Sequence, residues 1–473
     1  MNPWGQYAPE LVTDLYELTM AESFLREGMN SEATFSLFVR DYPEDRSCFV
    51  SAGLQSLLQI LPDFRFSDES LKYLVSLGKF CTELIEYLRD FRFSGSIRAI
   101  PEGRIFFAQE PILEVTAPIV EAQVIETLVV NMIQLDTMLA SKAARVSAVA
   151  SGKELIDFGM RRTHGVDASL KAARASYLAG FAGTSNLLAG KIYGIPVFGT
   201  MAHSYVTSFH SELDSFHAFA RAFPDSSVLL IDTYDCIAGA FKAVEVATTL
   251  RNRGKKLLGV RLDSGDLADL SRKVRLILDE AGFPEVKIMA SGNLDEYEVE
   301  RLLSSGARID SFAVGTRLGV SADAPYLDIA YKLVEYEGRP ILKLSSGKKT
   351  WIGQKQVHRF YGADGKMNFD RVCLLDTEVK EGEPLLEPVM QGGQRVGEPE
   401  SLAQIRARFS DEWRKLPEKF RSIHPGGIYP VEVCQPLKDL DNKTARLRRR
   451  EEVEDRLEKG IGELGNLAAR LFP

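Results

Sequence analysis

SVLLIDTYDCIAGAFKAVEVATTLRNRGKKLLGVRLDSGDL, residues 227–267, is the stretch that decides the fold. It opens on a short apolar run, SVLLID (227–232), that ends in an acid. A helical stretch follows over 236–253, and then a second apolar run, KLLGVRLD (256–263), that also ends in an acid. Runs this short, bounded by turn residues, read as strands, and the longer stretch between them reads as a crossover helix. The unit is therefore strand–helix–strand, the building block of a parallel sheet.

Working outward, the same unit recurs. Apolar runs stand at LIDF (155–158), IPVFGT (195–200), VKIMAS (286–291) and IDSFAVG (309–315). Helix candidates lie near 167–179, 184–193, 266–281 and 295–305. Six or seven such units in about 180 residues fit an α/β barrel. An open, doubly wound sheet is the rival arrangement.

The flanks are less regular. Residues 13–27 and 33–39 read as helix then strand, and 54–61 and 69–90 as helices. Strand-like pieces with Pro and Gly turns fill 96–120, and 121–150 is a long amphipathic helical stretch. Beyond 330, antiparallel strands are expected over 331–375, with turns at Glu337-Gly338, Ser346-Gly347 and Asp364-Gly365. Helices are expected over 400–420 and 436–473, the last a solvated helix of mixed charge.

Composition narrows the class. The 473 residues suggest two or three domains, and 45% apolar with 26% charged residues is ordinary for a globular protein. Lys and Arg number 58 against 66 Asp and Glu, a net charge of −8, which disfavours a general nucleic-acid binder. The charge still permits a local basic pocket for an anionic small molecule. Five scattered cysteines, Cys48, Cys81, Cys236, Cys373 and Cys434, contain no C-x-x-C pair, so free thiols in a reducing cytosol are expected. The N-terminal residues lack a signal-peptide pattern, and no run approaches 18 apolar residues. A cytoplasmic enzyme without membrane or nucleic-acid partners is the expectation.

In parallel α/β proteins, ligands meet the loops at the C-terminal ends of the strands. Every such end here is polar or Gly-rich: GMRRTHG, GTSN, MAHS, TYD, SGD, GNLD and TRLG. GTSN (183–186) and Gly315-Thr316 could cradle phosphate with backbone N–H groups, or simply cap helices. Asp232 and Asp235, and Asp263 and Asp266, could hold Mg²⁺, bind ribose hydroxyls or cap the next helix; Asp266 suits the cap. Arg161, Arg162 and Arg261 could clamp an anion or form surface ion pairs. No Walker A sequence and no G-x-G-x-x-G after a strand is present, which disfavours those nucleotide-binding modes. His203, His210 and His217 recur every seven residues, about 10 Å per step on a helix, too far to share one metal. His203 alone, just past an apolar run, could be an acid, a base, a nucleophile or structural.

The segments TDLYELTM (13–20), DFGMRRTHG (157–165), GFAGTSNLLAG (180–190), GTMAHSY (199–205), IDTYD (231–235), GVRLDSGDL (259–267) and FAVGTRLGVS (312–321) together resemble the nicotinate phosphoribosyltransferases. The resemblance spans nearly the whole chain. It implies transfer of phosphoribosyl from 5-phosphoribosyl 1-diphosphate to nicotinate, giving nicotinate mononucleotide and diphosphate. ATP would be the co-substrate and Mg²⁺ the cofactor, with no zinc or haem. It also implies an irregular TIM-like α/β barrel with a smaller mixed α+β domain built from N- and C-terminal segments. The expected boundaries are 1–130, 131–330 and 331–473, with the last segment packing back on the first.

Carried over residue by residue, His203 matches the phosphohistidine. Tyr16 matches an aromatic that stacks on the pyridine ring and is donated by the other subunit of a homodimer, and Phe158 would stack on the opposite face. Thr200 and Arg261 match positions that contact nicotinate, and Arg161 would assist at the anionic end. Asp263, with Asp232, would meet ribose or Mg²⁺. Gly292, Gly315 and Thr316 would face the substrate, the last two at the ribose 5-phosphate. Ser185 stands where the nicotinamide-using relatives carry Asp, which would repel an acid. A nicotinamide or quinolinate transferase, or a barrel that binds a metabolite without catalysis, is the alternative. Some members of the resembled family carry a Cys-rich C-terminal metal site; this chain shows no Cys pattern for one, so none is expected.

Overall fold

The computed structural model describes residues 8–344, 350–424 and 426–458. Its organising element is a six-stranded parallel sheet. Across it run Gly183–Thr184, Glu154–Asp157, Ser311–Val314, Lys287–Ala290, Gly259–Leu262 and Val228–Leu230. All five ladders are parallel. Ile156, Val260, Leu262, Ile288, Phe312 and Val314 are fully buried, so both faces of the sheet are covered. Near-continuous apolar strands are what a parallel sheet with covered faces requires.

The helices after the strands begin on caps written into the sequence. Asp235 accepts from the Ala238 N–H, Asp266 from Ala268 and Asp269, and Asp295 from Glu298. Asn186 caps Leu187–Tyr193 by accepting from Ala189. Each side chain satisfies a donor that the first helical turn leaves free.

Two expectations need correction. IPVFGT (195–200) is extended but is not a strand; its contribution is one parallel bridge between Thr184 and Val197. Gly183–Thr184 is only two residues long and offers little ladder for that segment to join. Among the described residues, no ladder joins Gly183–Thr184 to Val228–Leu230, so strand pairing does not close the sheet on itself.

A second, seven-stranded sheet is antiparallel throughout and draws on both ends of the chain. Glu32–Val39 pairs with Pro111–Pro118 on one side and with Ile329–Tyr336 on the other. Ser96–Ala99 pairs with Glu387–Gln391. Helix Glu126–Val149 connects the two sheets in sequence, and its Lys142 and Arg145 both reach Glu296 of helix Glu296–Ser304, at 2.5 and 2.9 Å. The stretch 69–90, read as one helix, is two, Asp68–Ser76 and Thr82–Asp90. The turn expected at Ser346-Gly347, and the helix expected beyond 458, lie outside the described residues.

A smaller four-stranded sheet centres on Lys355–Tyr361 and Met367–Leu374. Its fully buried Arg359 binds Asp370 at 2.6 Å, Glu412 at 2.7 Å and the Ile105 carbonyl at 2.8 Å, joining N- and C-terminal segments. Free thiols were expected throughout, but Cys373 and Cys434 are disulfide-bonded. Parallel pairing of Met367–Leu374 with Val431–Val433 brings the two cysteines side by side across 61 residues. Spacing along the chain carries no trace of that pairing.

Candidate active site

The C-terminal ends of the parallel strands surround a cavity of about 780 Å³. Phe158, Arg161, Ser185, Thr200, His203, Arg261, Asp263, Gly292, Gly315 and Thr316 all line it, and so does Arg162. Ten of the twelve residues carried over from the resemblance therefore converge on one space. Asp232 and Tyr16 do not line it.

Arg261, at the end of its strand, organises the floor. Its Nε donates to Ser291 Oγ at 2.8 Å, one Nη to Thr200 Oγ1 at 2.8 Å, and the other to Asp263 Oδ1 at 2.7 Å. The guanidinium also lies 5.7 Å from the centre of the Phe158 ring, within cation–π range. Burial would raise the Asp263 carboxyl, but hydrogen bonds from Arg261 and Ser291 outweigh it and hold the group below the usual carboxylate range. Asp263 is therefore an anion at neutral pH.

His203 opens the short helix His203–Thr207. Its Nδ1 lies 3.1 Å from Thr233 Oγ1, and its Nε2 lies 3.7 Å from Asp263 Oδ2. One ring nitrogen is thus held by a hydroxyl while the other faces an anion across the cavity wall. Asp232 stands behind this pair. Its Oδ2 accepts from the Asp263 N–H at 2.9 Å and from Ser264 Oγ at 2.6 Å, while its buried Oδ1 has no hydrogen-bond partner among the described residues. Asp235 and Asp266 serve as caps instead.

Among the described residues, Asp232 Oδ1 is a buried carboxylate oxygen without a hydrogen-bond partner, and Asp263, at the adjacent strand end, has its Oδ2 3.7 Å from His203 Nε2. Mg²⁺ is commonly held by one or two carboxylates together with substrate phosphates and water, so this pair fits such an ion. Among the described residues, no group of three or more His, Cys, Asp or Glu side chains forms an all-protein metal cage.

Tyr16 sits elsewhere, about half-exposed on helix Leu15–Arg26 beside Glu126. Sequence reasoning missed Thr233, Ser291 and Asn293. Ser291 and Asn293 lie in ASGNLD beside the singled-out Gly292, so their place after an apolar run was the available signal. Thr233 lies inside IDTYD, but only the fold turns it towards His203.

A parallel sheet with its polar rim gathered at the strand ends, and with cations, an anion and a histidine around one cavity, defines an α/β enzyme site that takes anionic ligands. Comparison with known proteins narrows the class. Residues 11–134 match the nicotinate phosphoribosyltransferase (NAPRTase) N-terminal domain, and residues 153–410 match the nicotinate phosphoribosyltransferase (NAPRTase) family. A nicotinate phosphoribosyltransferase of Mycobacterium tuberculosis is 46% identical over 456 residues, covering 95% of this chain and 96% of that protein. The Bacillus subtilis nicotinate phosphoribosyltransferase is 36% identical, covering 96% of this chain and 97% of its own. The crystal structure of human nicotinic acid phosphoribosyltransferase superposes with a TM-score of 0.83 at 30% identity, covering 92% of this chain and all of that one. The chain belongs to the nicotinate phosphoribosyltransferase family.

Proposed function

We propose that this cavity joins nicotinate to the phosphoribosyl group of 5-phosphoribosyl 1-diphosphate, giving nicotinate mononucleotide and diphosphate. ATP hydrolysis is coupled to the transfer through phosphorylation of His203. The observation that carries the reading is the convergence of Phe158, Arg261, Asp263, His203 and the Gly315-Thr316 turn on one space at the strand ends.

Displacing diphosphate from the anomeric carbon builds positive charge on the ribose as the leaving group takes the electron pair. An anion beside the ribose and cations beside the diphosphate stabilise that state, and a fixed base position removes the entropic cost of encounter. Asp263, held ionised by Arg261 and Ser291, supplies the anion. Phe158 offers a face for the pyridine ring, and Thr200 and Arg261 offer donors to its carboxylate. Ser185 leaves that end of the cavity without a repelling charge. Gly315 and Thr316 meet the ribose 5-phosphate, and Arg161 assists at the anionic end. Mg²⁺, held by Asp232 and Asp263, would neutralise diphosphate charge. ATP would pass its γ-phosphoryl group to one ring nitrogen of His203 with ADP leaving, and water would later cleave the phosphohistidine to give phosphate; while in place, the added charge changes the local field beside Asp263 and orders loops around the substrate.

The finer architecture follows the same reading. Except between Gly183–Thr184 and Val228–Leu230, the strands neighbour each other in chain order, and the first, Glu154–Asp157, also pairs with the last, Ser311–Val314. A doubly wound sheet has no such first-to-last pairing, so the order supports an irregular barrel whose gap is spanned by the extended 195–202 segment. The chain divides at 1–130, 131–330 and 331–473. A second subunit brings Tyr16 to the open side of the cavity.

His203→Ala tests the coupling. Nicotinate mononucleotide formation is measured with and without ATP, together with ADP release. The variant is expected to make product at a slow rate that ATP no longer accelerates. Undiminished ATP stimulation would remove His203 from the coupling step.

A further inference from the structure

Asp157 ends the strand Glu154–Asp157 and is essentially fully buried, yet it does not touch the cavity. Among the described residues, no cation pairs with its carboxylate. Its two oxygens are instead divided between two of the loops that line the site. Oδ1 accepts from the Gly159 N–H at 2.7 Å, and Oδ2 accepts from the Thr184 hydroxyl at 2.7 Å. The Thr184 hydroxyl in turn accepts from the Asn186 N–H at 3.0 Å, and the Asp157 carbonyl accepts from the Ser185 N–H at 2.8 Å.

The consequence is geometric. The turn held by Oδ1 carries Phe158, Met160 and Arg161 into the cavity; the turn held by Oδ2 carries Ser185. A third loop is in contact as well. A Cβ on Gly159 would stand 2.9 Å from Asp157 Oδ1 and 3.2 Å from the Gly315 carbonyl oxygen, so no larger residue fits between them. The Phe158 N–H also donates to the Val314 carbonyl at 2.8 Å. Two site loops thus meet at one buried carboxylate, and a third packs against Gly159. Burial without a counter-ion raises its carboxyl above the usual range and opposes ionisation, which the two donors offset only in part. A carboxylate in that position costs stability unless its acceptors are used, and here both are used on site loops.

We infer that Asp157 is a positioning residue: by holding Gly159 and Thr184 at once, it sets the distance between the Phe158 face and Ser185, and so the slot into which the pyridine acid fits. An aspartate is suited to this because it offers two acceptors and no donor. Asparagine would keep one acceptor and turn an amide donor towards either an N–H or a hydroxyl already used. The inference rests on the phosphoribosyl-transfer reading of this cavity.

The test is steady-state kinetics of Asp157→Asn and Thr184→Val alongside thermal melting of the same proteins. Asp157→Asn is expected to raise KM for nicotinate roughly tenfold while KM for phosphoribosyl diphosphate moves far less. Thr184→Val, which removes one of the two hydrogen bonds, is expected to raise the same KM by a smaller factor and keeps the question decidable if Asp157→Asn does not fold. A nicotinate KM unchanged in a folded variant, or both KM values rising alike with a lowered melting temperature, would reduce Asp157 to a structural residue and overturn the inference. No nicotinate-dependent diphosphate release by the unaltered protein would instead overturn the transfer reading, and the inference with it.

Discussion

Gly292 shows how tightly the catalytic floor is built. Its φ of +93° lies in the left-handed region, and a Cβ there would stand 2.2 Å from the Asp263 carbonyl oxygen. Asp263 is tied to Arg261 and Ser291, so any shift of the 291–293 turn reaches the guanidinium that also holds Thr200. Gly292→Ala is expected to lower kcat/KM by about 10- to 100-fold, as displacements near 1 Å commonly do, and to cost about 1–3 kcal/mol of stability from backbone strain. Kinetics and a melting curve on the variant check both; unchanged kcat/KM would mean the floor tolerates displacement. At this scale the sequence was informative because glycines, acids and hydroxyls recur just past several apolar runs, even though some of them, such as Asp235 and Asp266, serve as helix caps. It was silent on Thr233 and Asp157, whose roles depend on what faces them across the fold.

Among the elements, helix Leu15–Arg26 carries an expensive feature. Glu17 is fully buried and accepts from the Thr127 N–H at 3.1 Å, and from the hydroxyls of Thr13 and Thr127. Burial dominates these hydrogen bonds and pushes its carboxyl up to about 7. The folded state therefore binds this proton more tightly than the unfolded chain, whose ordinary value is 4.5. That stabilisation is fully present below 4.5 and is lost as pH rises through about 7, by no more than about 3 kcal/mol. Glu17→Gln removes the titration, so the unaltered protein should lose melting temperature relative to the variant between pH 5 and pH 8. A difference independent of pH would contradict the raised value. Helix starts were legible where Asp or Asn preceded them, as at Asp266, because capping is local chemistry. IPVFGT looked like a strand because it is apolar and β-branched, but whether such a run forms a ladder depends on a neighbour that the sequence does not display.

For the molecule as a whole, the parallel unit was legible because each strand–helix unit repeats the same local pattern. Other long-range features were not. The antiparallel sheet assembles strands from residues 32–39 and 329–336, and the Cys373–Cys434 bond spans 61 residues through a parallel pairing. Contacts between distant segments leave no periodic trace in either segment. The same limit applies to Tyr16, which lies outside the cavity and meets the reaction only if a second subunit supplies it. The net charge of −8 belongs to the molecule as a whole, while Arg161, Arg162 and Arg261 gather at the cavity formed by the strand ends. The central claim is that this cavity joins nicotinate to a phosphoribosyl group. The most direct measurement is product analysis with phosphoribosyl diphosphate, Mg²⁺ and ATP while nicotinate, nicotinamide and quinolinate compete in equal amounts. The account predicts nicotinate mononucleotide and stoichiometric diphosphate as the dominant products. Preferential use of nicotinamide or quinolinate, or no diphosphate release with any of the three, would contradict it.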